Sequence, residues 1–254
     1  MGTPGCCSRR MYTCQPCPRG VSACRTLRAE GLPPMNTEEM VERLRHWPSR
    51  LLNPEDQFFR GDLPDYDFNA IVGKCSTIDG GWDYFVRGFR DAADVLLESV
   101  IANPRRVPID LLLYPLIFLY RHHFELLLKS IIIAGSKMKQ SPLPPQKIHS
   151  LLDLWRQARP LIESCFPNDN WSQNNCAERL FVAFQHVDAA SQTFRYPPIR
   201  GAEAPLFKHE HVNLRHFGDT ATRLSQYLQQ ILFGLEHKYE QQIEWESEMA
   251  HWAP

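Results

Sequence analysis

A chain of 254 residues with 43% hydrophobic composition can bury one large core, or a core domain with extensions. Its formal net charge of −1 and pI near 6.8 exclude contact with nucleic acid through global positive charge and leave only local basic patches for that role. Of the eight cysteines, Cys6, Cys7, Cys14, Cys17 and Cys24 crowd the beginning, so the remainder is no disulfide-stapled fold and suits a reducing, cytoplasmic setting.

Residues 1–35 mix Cys, Arg, Gly and Pro without periodicity and read as an irregular, disordered extension. No apolar signal-peptide core opens them. The Cys14-Gln-Pro-Cys17 spacing suits zinc, and Cys24 with Cys6 or Cys7 would complete four ligands. The irregular spacing and the lack of a nearby His favour the extension, so no metal is assigned. In a sharper form of this reading Met35 is the start, because Asn36-Thr37-Glu38-Glu39 has the composition of a helix N-terminus. A short helix is expected over Glu38–Trp47, stopped by Pro48. Leu51–Gly81 is Asp-, Pro- and Gly-rich and reads as a long connection, with a short strand near Ala70–Cys75. Residues 36–81 are thus a short helix and connection, and 82–254 the main domain.

From Trp82 the pattern is helical. Phe85, Phe89, Ala92, Leu96 and Val100 recur at spacings of three and four, and Asn103-Pro104 ends the run. Ile109–Ala134 is the most apolar stretch. Its uninterrupted run before Arg121, Leu111–Tyr120, is short of the roughly 20 residues a span needs. Arg121, Glu125 and Lys129 would each cost ~2.5–3.5 kcal/mol near mid-bilayer. The stretch is therefore a core helix of a bundle and not a membrane span, closing near Ala134-Gly135. Ser136–Lys147 is a Lys/Pro-rich linker. His149–Phe166 is a third helix, with Leu151, Leu154, Trp155 and Ala158 on one side and Pro160 as a kink or break. A fourth helix is capped by Asn175 with Glu178 three residues on, and runs to about Phe194 before Pro197-Pro198. The last helix starts near Asn213. Its Leu214, Phe217, Ala221, Leu224, Leu228, Ile231 and Leu235 alternate spacings of three and four, a seam for a bundle or a helix dimer. Beyond Glu236 the composition turns polar and fraying is expected. The sum is an all-α helical bundle of about five main helices with an irregular N-terminal extension.

The polar residues of this bundle form four groups. Arg121, Glu125 and Lys129 are spaced by four among Phe118, Leu128 and Ile132, so they require polar partners from another helix. Arg179 and His186 are seven apart on one face, and Asp188, Ser191 and Arg195 share another. His149 opens the third helix. The plain reading of each is a satisfied polar residue on a bundle seam. No phosphate-binding Gly-rich loop, HExxH or GxSxG is present, and nothing in the chain signals a cofactor.

Taken in order, these features resemble the HEPN superfamily of helical-bundle domains: Arg121-x3-Glu125-x3-Lys129 in a long apolar helix, His149-Ser150-Leu151-Leu152-Asp153-Leu154 opening the next, Asp188-x2-Ser191-x2-Phe194-Arg195, and a last helix. The resemblance covers about Trp82–Glu240. It implies a metal-independent endoribonuclease of the toxin–antitoxin or phage-defence kind, with RNA as partner and two protomers sharing the site. The family signature is an Arg followed after four to six residues by a His. At the matching position, Arg195-Tyr-Pro-Pro-Ile-Arg200, an Arg stands where the His should be, whereas Arg179 and His186 fit the spacing in mid-helix. The resemblance makes Arg195, His186 and Arg179 the catalytic candidates, the His moving a proton and the Arg stabilising negative charge. Arg200, His149, Arg121, Glu125 and Asp188 would bind or orient. Arg200 can hold a phosphate but cannot titrate near neutral pH, so a catalytically degenerate member stands beside an active one. The alternative is a non-catalytic interaction or dimerisation module that meets its protein partner through the heptad face of the last helix.

Overall fold

The computed structural model describes residues 58–59, 67, 70, 81–144, 147–167, 171–188, 191–196 and 211–252. The chain divides into two compact units, Met1–Ser49 and Arg50–Pro254, and every described residue belongs to the second. The expected helix Glu38–Trp47, the five N-terminal cysteines, residues 71–75 of the expected strand and Arg200 lie outside the described residues.

Five helices follow one another: α1 (Trp82–Ala102), α2 (Ile109–Met138), α3 (Leu151–Cys165), α4 (Ser172–Asp188) and α5 (Leu214–Trp252). Among the described residues there is no strand, and the fold is an all-α bundle. No described helix is long and apolar enough to cross a membrane.

α2 is the hub, packed against α1, α3 and α5. Its sequence dictates this, because apolar residues point to every side of it. Leu116, Tyr120, Phe124, Leu127, Leu128, Ile131 and Ile132 are all fully buried. Each such side chain contributes roughly 1.5–3 kcal/mol on leaving water. α5 lays its heptad seam on this core: Leu214, Ala221, Leu224, Leu228, Ile231 and Leu235 are buried, with Phe217 partly so. Gly218 lets α5 approach α1 closely, since a Cβ there would run into the Leu97 side chain. Polar bonds pin the same three helices. His123 is fully buried; its Nδ1 donates to the Val86 carbonyl on α1 and its Nε2 accepts from the Ser225 hydroxyl on α5, both at 2.8 Å. Tyr120 donates to Asp94 Oδ1 at 2.6 Å, and Arg90 binds both Asp94 and Thr222.

Several expected boundaries move. α2 does not close at Ala134-Gly135 but runs to Met138, where Gln140 takes a left-handed φ of 52° and Ser141 N–H donates to the Ser136 carbonyl. Gly135 instead admits α3, a Cβ there standing 3.0 Å from Leu161 Cβ. Pro160 does not break α3. The residue is exposed, so water can satisfy the carbonyl that loses its donor, and the buried stripe Leu154, Trp155, Ala158, Ile162 continues past it. α3 is capped by Ser150, whose Oγ accepts from Asp153 N–H. α4 starts at Ser172, and Asn175 and Glu178 form no capping box: both side chains bind Arg159 of α3. α4 also stops at Asp188 and not near Phe194. The Asp188 carboxylate captures the N–H groups of Gln192 and Thr193 at 2.7 and 2.9 Å, and Ser191 turns left-handed at φ 60°. The C-terminal part of α5 is helical through Trp252, where fraying was expected.

Candidate functional site

The charged stripe of α2 is buried and closed by partners from the start of α3 and the end of α4. Arg121, Glu125 and Lys129 are 1%, 2% and 7% exposed. Glu125 Oε2 meets Arg121 Nη1 at 3.2 Å, and its Oε1 accepts from Lys129 Nζ at 2.8 Å. Arg121 Nη2 donates to the His149 carbonyl at 2.6 Å. Arg121 Nε lies 2.9 Å from Asp188 Oδ2, an ion pair whose N–H is not aligned for a hydrogen bond. Two cations thus face two carboxylates out of water, the pairing that buried charges require. Burial alone would raise the Glu125 pKa. The hydrogen bonds from Lys129 and His149 outweigh it and hold the carboxyl below its ordinary value near 4.5.

One member of this network reaches solvent. His149 Nδ1 stands 2.9 Å from Glu125 Oε1, on a side chain that is 65% exposed. An ionised carboxylate only accepts, so Nδ1 carries the proton and Nε2 is the ring's open nitrogen. The next residue supports this placement: the Ser150 hydroxyl donates to Gln185 Oε1 of α4 at 2.9 Å and caps α3. The result is an exposed imidazole fixed through Nδ1 by a buried, positively buttressed carboxylate.

Beside it runs an aromatic ledge. His122 stacks on Phe118, centroids 6.0 Å apart, and meets Phe89 edge-on at 4.3 Å. Burial lowers the His122 pKa; Glu125 pulls it up, and the charges of Lys129, Arg121 and His149 push it down. The Arg195 guanidinium lies 5.9 Å from the ring centres of both Phe118 and Tyr196, with Nε donating to the Ser191 carbonyl at 2.6 Å. Arg195 and Tyr196 are exposed. Phe118 thus meets the Arg195 guanidinium and the His122 ring, and His122 feels the charges of Glu125 and His149.

The structure brings Arg121, Glu125, Asp188 and His149 into direct contact and sets Arg195 on the neighbouring ledge. Arg179 and His186 are not part of this arrangement. Both are exposed on α4, Arg179 donating to Cys176 Sγ at 3.1 Å, and among the described residues no hydrogen bond or ion pair joins them. Asp188, Ser191 and Arg195 do cluster, but in a turn and not on a helix face, because α4 has already ended. Sequence reasoning left out His122 and Phe118 as site residues. Their spacing of four from one another, and of three from Glu125 and Arg121, was the available signal.

Apart from this arrangement, a concavity of about 460 Å³ lies between α2, α4 and α5, lined by Phe124, Phe184, Phe194, Phe217 and Leu224, with His211 and His216 among its polar residues. Among the described residues no group of three or more His, Cys, Asp and Glu is placed to hold a metal ion. In comparisons with protein-family models, curated proteins and solved structures, the chain gives no match.

Proposed function

We propose that this bundle is a HEPN-like domain that binds and cleaves RNA, and that His149 is its proton-transfer group. The observation that carries the reading is the exposed His149 ring held at 2.9 Å by the buried Glu125 carboxylate. Nε2 would take the proton of a ribose 2′-hydroxyl as its oxygen attacks the adjacent phosphorus, and would return a proton to the departing 5′-oxygen. Arg195, exposed and always charged, would stabilise the pentavalent phosphate. This assignment differs from the one the resemblance implies, in which His186 carries the proton. His149 is preferred because a carboxylate orients it. The reading includes a homodimer, as the resemblance implies.

The test is RNA cleavage by the purified chain in EDTA. His149→Ala is expected to lower the rate by ~10²–10⁴, the usual worth of a positioned acid or base, and Arg195→Ala by about 10². His186→Ala, at an exposed site outside the network, leaves cleavage unchanged. Equal cleavage by wild type and His149→Ala would reject the assignment.

A second reading is favoured by one specific observation: Arg121, Glu125 and Asp188 close on each other almost without solvent, as a purely structural network does. Under it the chain is a non-catalytic interaction module. Absence of cleavage on single-stranded and hairpin RNA, with the chain folded, would select it.

A further inference from the structure

The α5 seam does not end where the core ends. The buried positions Leu228, Ile231 and Leu235 continue at spacings of three, four, three, four and three through Lys238, Gln242, Trp245, Met249 and Trp252. The same helix face therefore changes environment along its length. Leu235 is fully buried, whereas Trp245, Met249 and Trp252 are 61%, 53% and 81% exposed. At about 1.5 Å per residue, three large apolar side chains spaced 245, 249, 252 form one stripe roughly two turns long. Stripes of this spacing pack against a helix.

The charges beside the stripe say which helix. Residues 236–252 contain five glutamates and one lysine. Glu246 and Glu248 flank the seam directly, at the positions that face a partner's flanking residues in a two-helix contact. Glu246 accepts from Gln140 and Gln242, neither of which cancels its charge. A second copy, parallel or antiparallel, would set these glutamates against their own kind. A partner whose apolar seam is flanked by Lys or Arg would pair with them instead.

We infer that the exposed end of the α5 seam, Trp245–Met249–Trp252, docks an amphipathic helix with basic flanks from another protein. The test uses the full chain and two designed helical peptides with the same leucine seam, one flanked by lysines and one by glutamates. Calorimetry is expected to show binding of the lysine-flanked peptide and none of the glutamate-flanked one. Trp245→Ala with Trp252→Ala weakens binding by about tenfold or more. Glu246→Lys with Glu248→Lys reverses the preference. All four positions are exposed, so circular dichroism of these variants is expected to match wild type. Binding of neither peptide, or of both equally, overturns the inference. So does a concentration-dependent dimer in sedimentation that the two Trp→Ala changes abolish, because the seam would then belong to a second copy.

Discussion

Arg121 of α2 and Asp188 at the end of α4 are distant in sequence, yet Nε and Oδ2 stand 2.9 Å apart with both side chains 2% exposed. α4 packs chiefly on α3, so this pair ties its C-terminal end to the hub helix. Asp188 also ends α4, its other oxygen taking the Gln192 and Thr193 N–H groups.

Asp188→Ala is therefore expected to destabilise the fold by ~3–5 kcal/mol, the effect of leaving a buried charge without its partner. Asp188→Asn keeps an acceptor for the turn and should lose less. Urea unfolding measures both. A loss below about 1 kcal/mol for the Ala variant would mean that water reaches Arg121 and compensates.

Burial of His123 pushes its pKa down from 6.5 to about 4. The folded state keeps this ring neutral, so between these values the unfolded chain binds more protons. The stability it confers is complete above pH 6.5 and is lost as pH falls toward 4, by ~3 kcal/mol in all. Unfolding measured from pH 7 to 4 should show this decline. A replacement that cannot titrate, His123→Gln, should flatten it while lowering stability at pH 7.

Glu125 titrates in a lower window with the same direction. Its folded pKa lies below 4.5, so its contribution is present above 4.5 and disappears as pH falls through the folded value. Glu125→Gln is expected to remove this acid limb and to cost about 3 kcal/mol at neutral pH, because Arg121 and Lys129 lose their shared carboxylate. The two thermal-melt profiles, compared at pH 7 and pH 3.5, decide it.

Two glycines separate packing from propensity. Gly218→Ala drives a methyl into Leu97 and should cost ~1–3 kcal/mol by overpacking. Gly88→Ala meets open space within α1 and should stabilise by roughly 0.5–1 kcal/mol. Opposite shifts in melting temperature are the expected result.

The sequence by itself determined that the chain makes helices and which stripes α3 and α5 bury. In α1 the expected stripe Phe85, Phe89, Ala92, Leu96 and Val100 lies one residue off the buried face, which is Val86, Ala93, Leu97 and Val100, with Phe85 54% exposed. Neighbouring apolar positions on α1 compete, and packing on α2 and α5 chooses between them. Spacings of three and four in α1, α2, α3 and α5 recur because a helix returns to the same face after each turn, a local property. It also required that Arg121, Glu125 and Lys129 find partners, since charges among Phe118, Leu128 and Ile132 are otherwise too costly. Only the tertiary structure decided who those partners are. Asp188 reaches Arg121 because α4 stops early, and that stop depends on a side chain capturing two backbone N–H groups in a turn. His149 is distinguished from His186 and His123 by contacts across helices and not by any neighbour in the chain. Glu125 holds His149 at the surface, Val86 and Ser225 seal His123 inside, and His186 is left exposed on α4. Helix periodicity is written in adjacent residues. The chemistry of a histidine is written in what the fold brings to its ring.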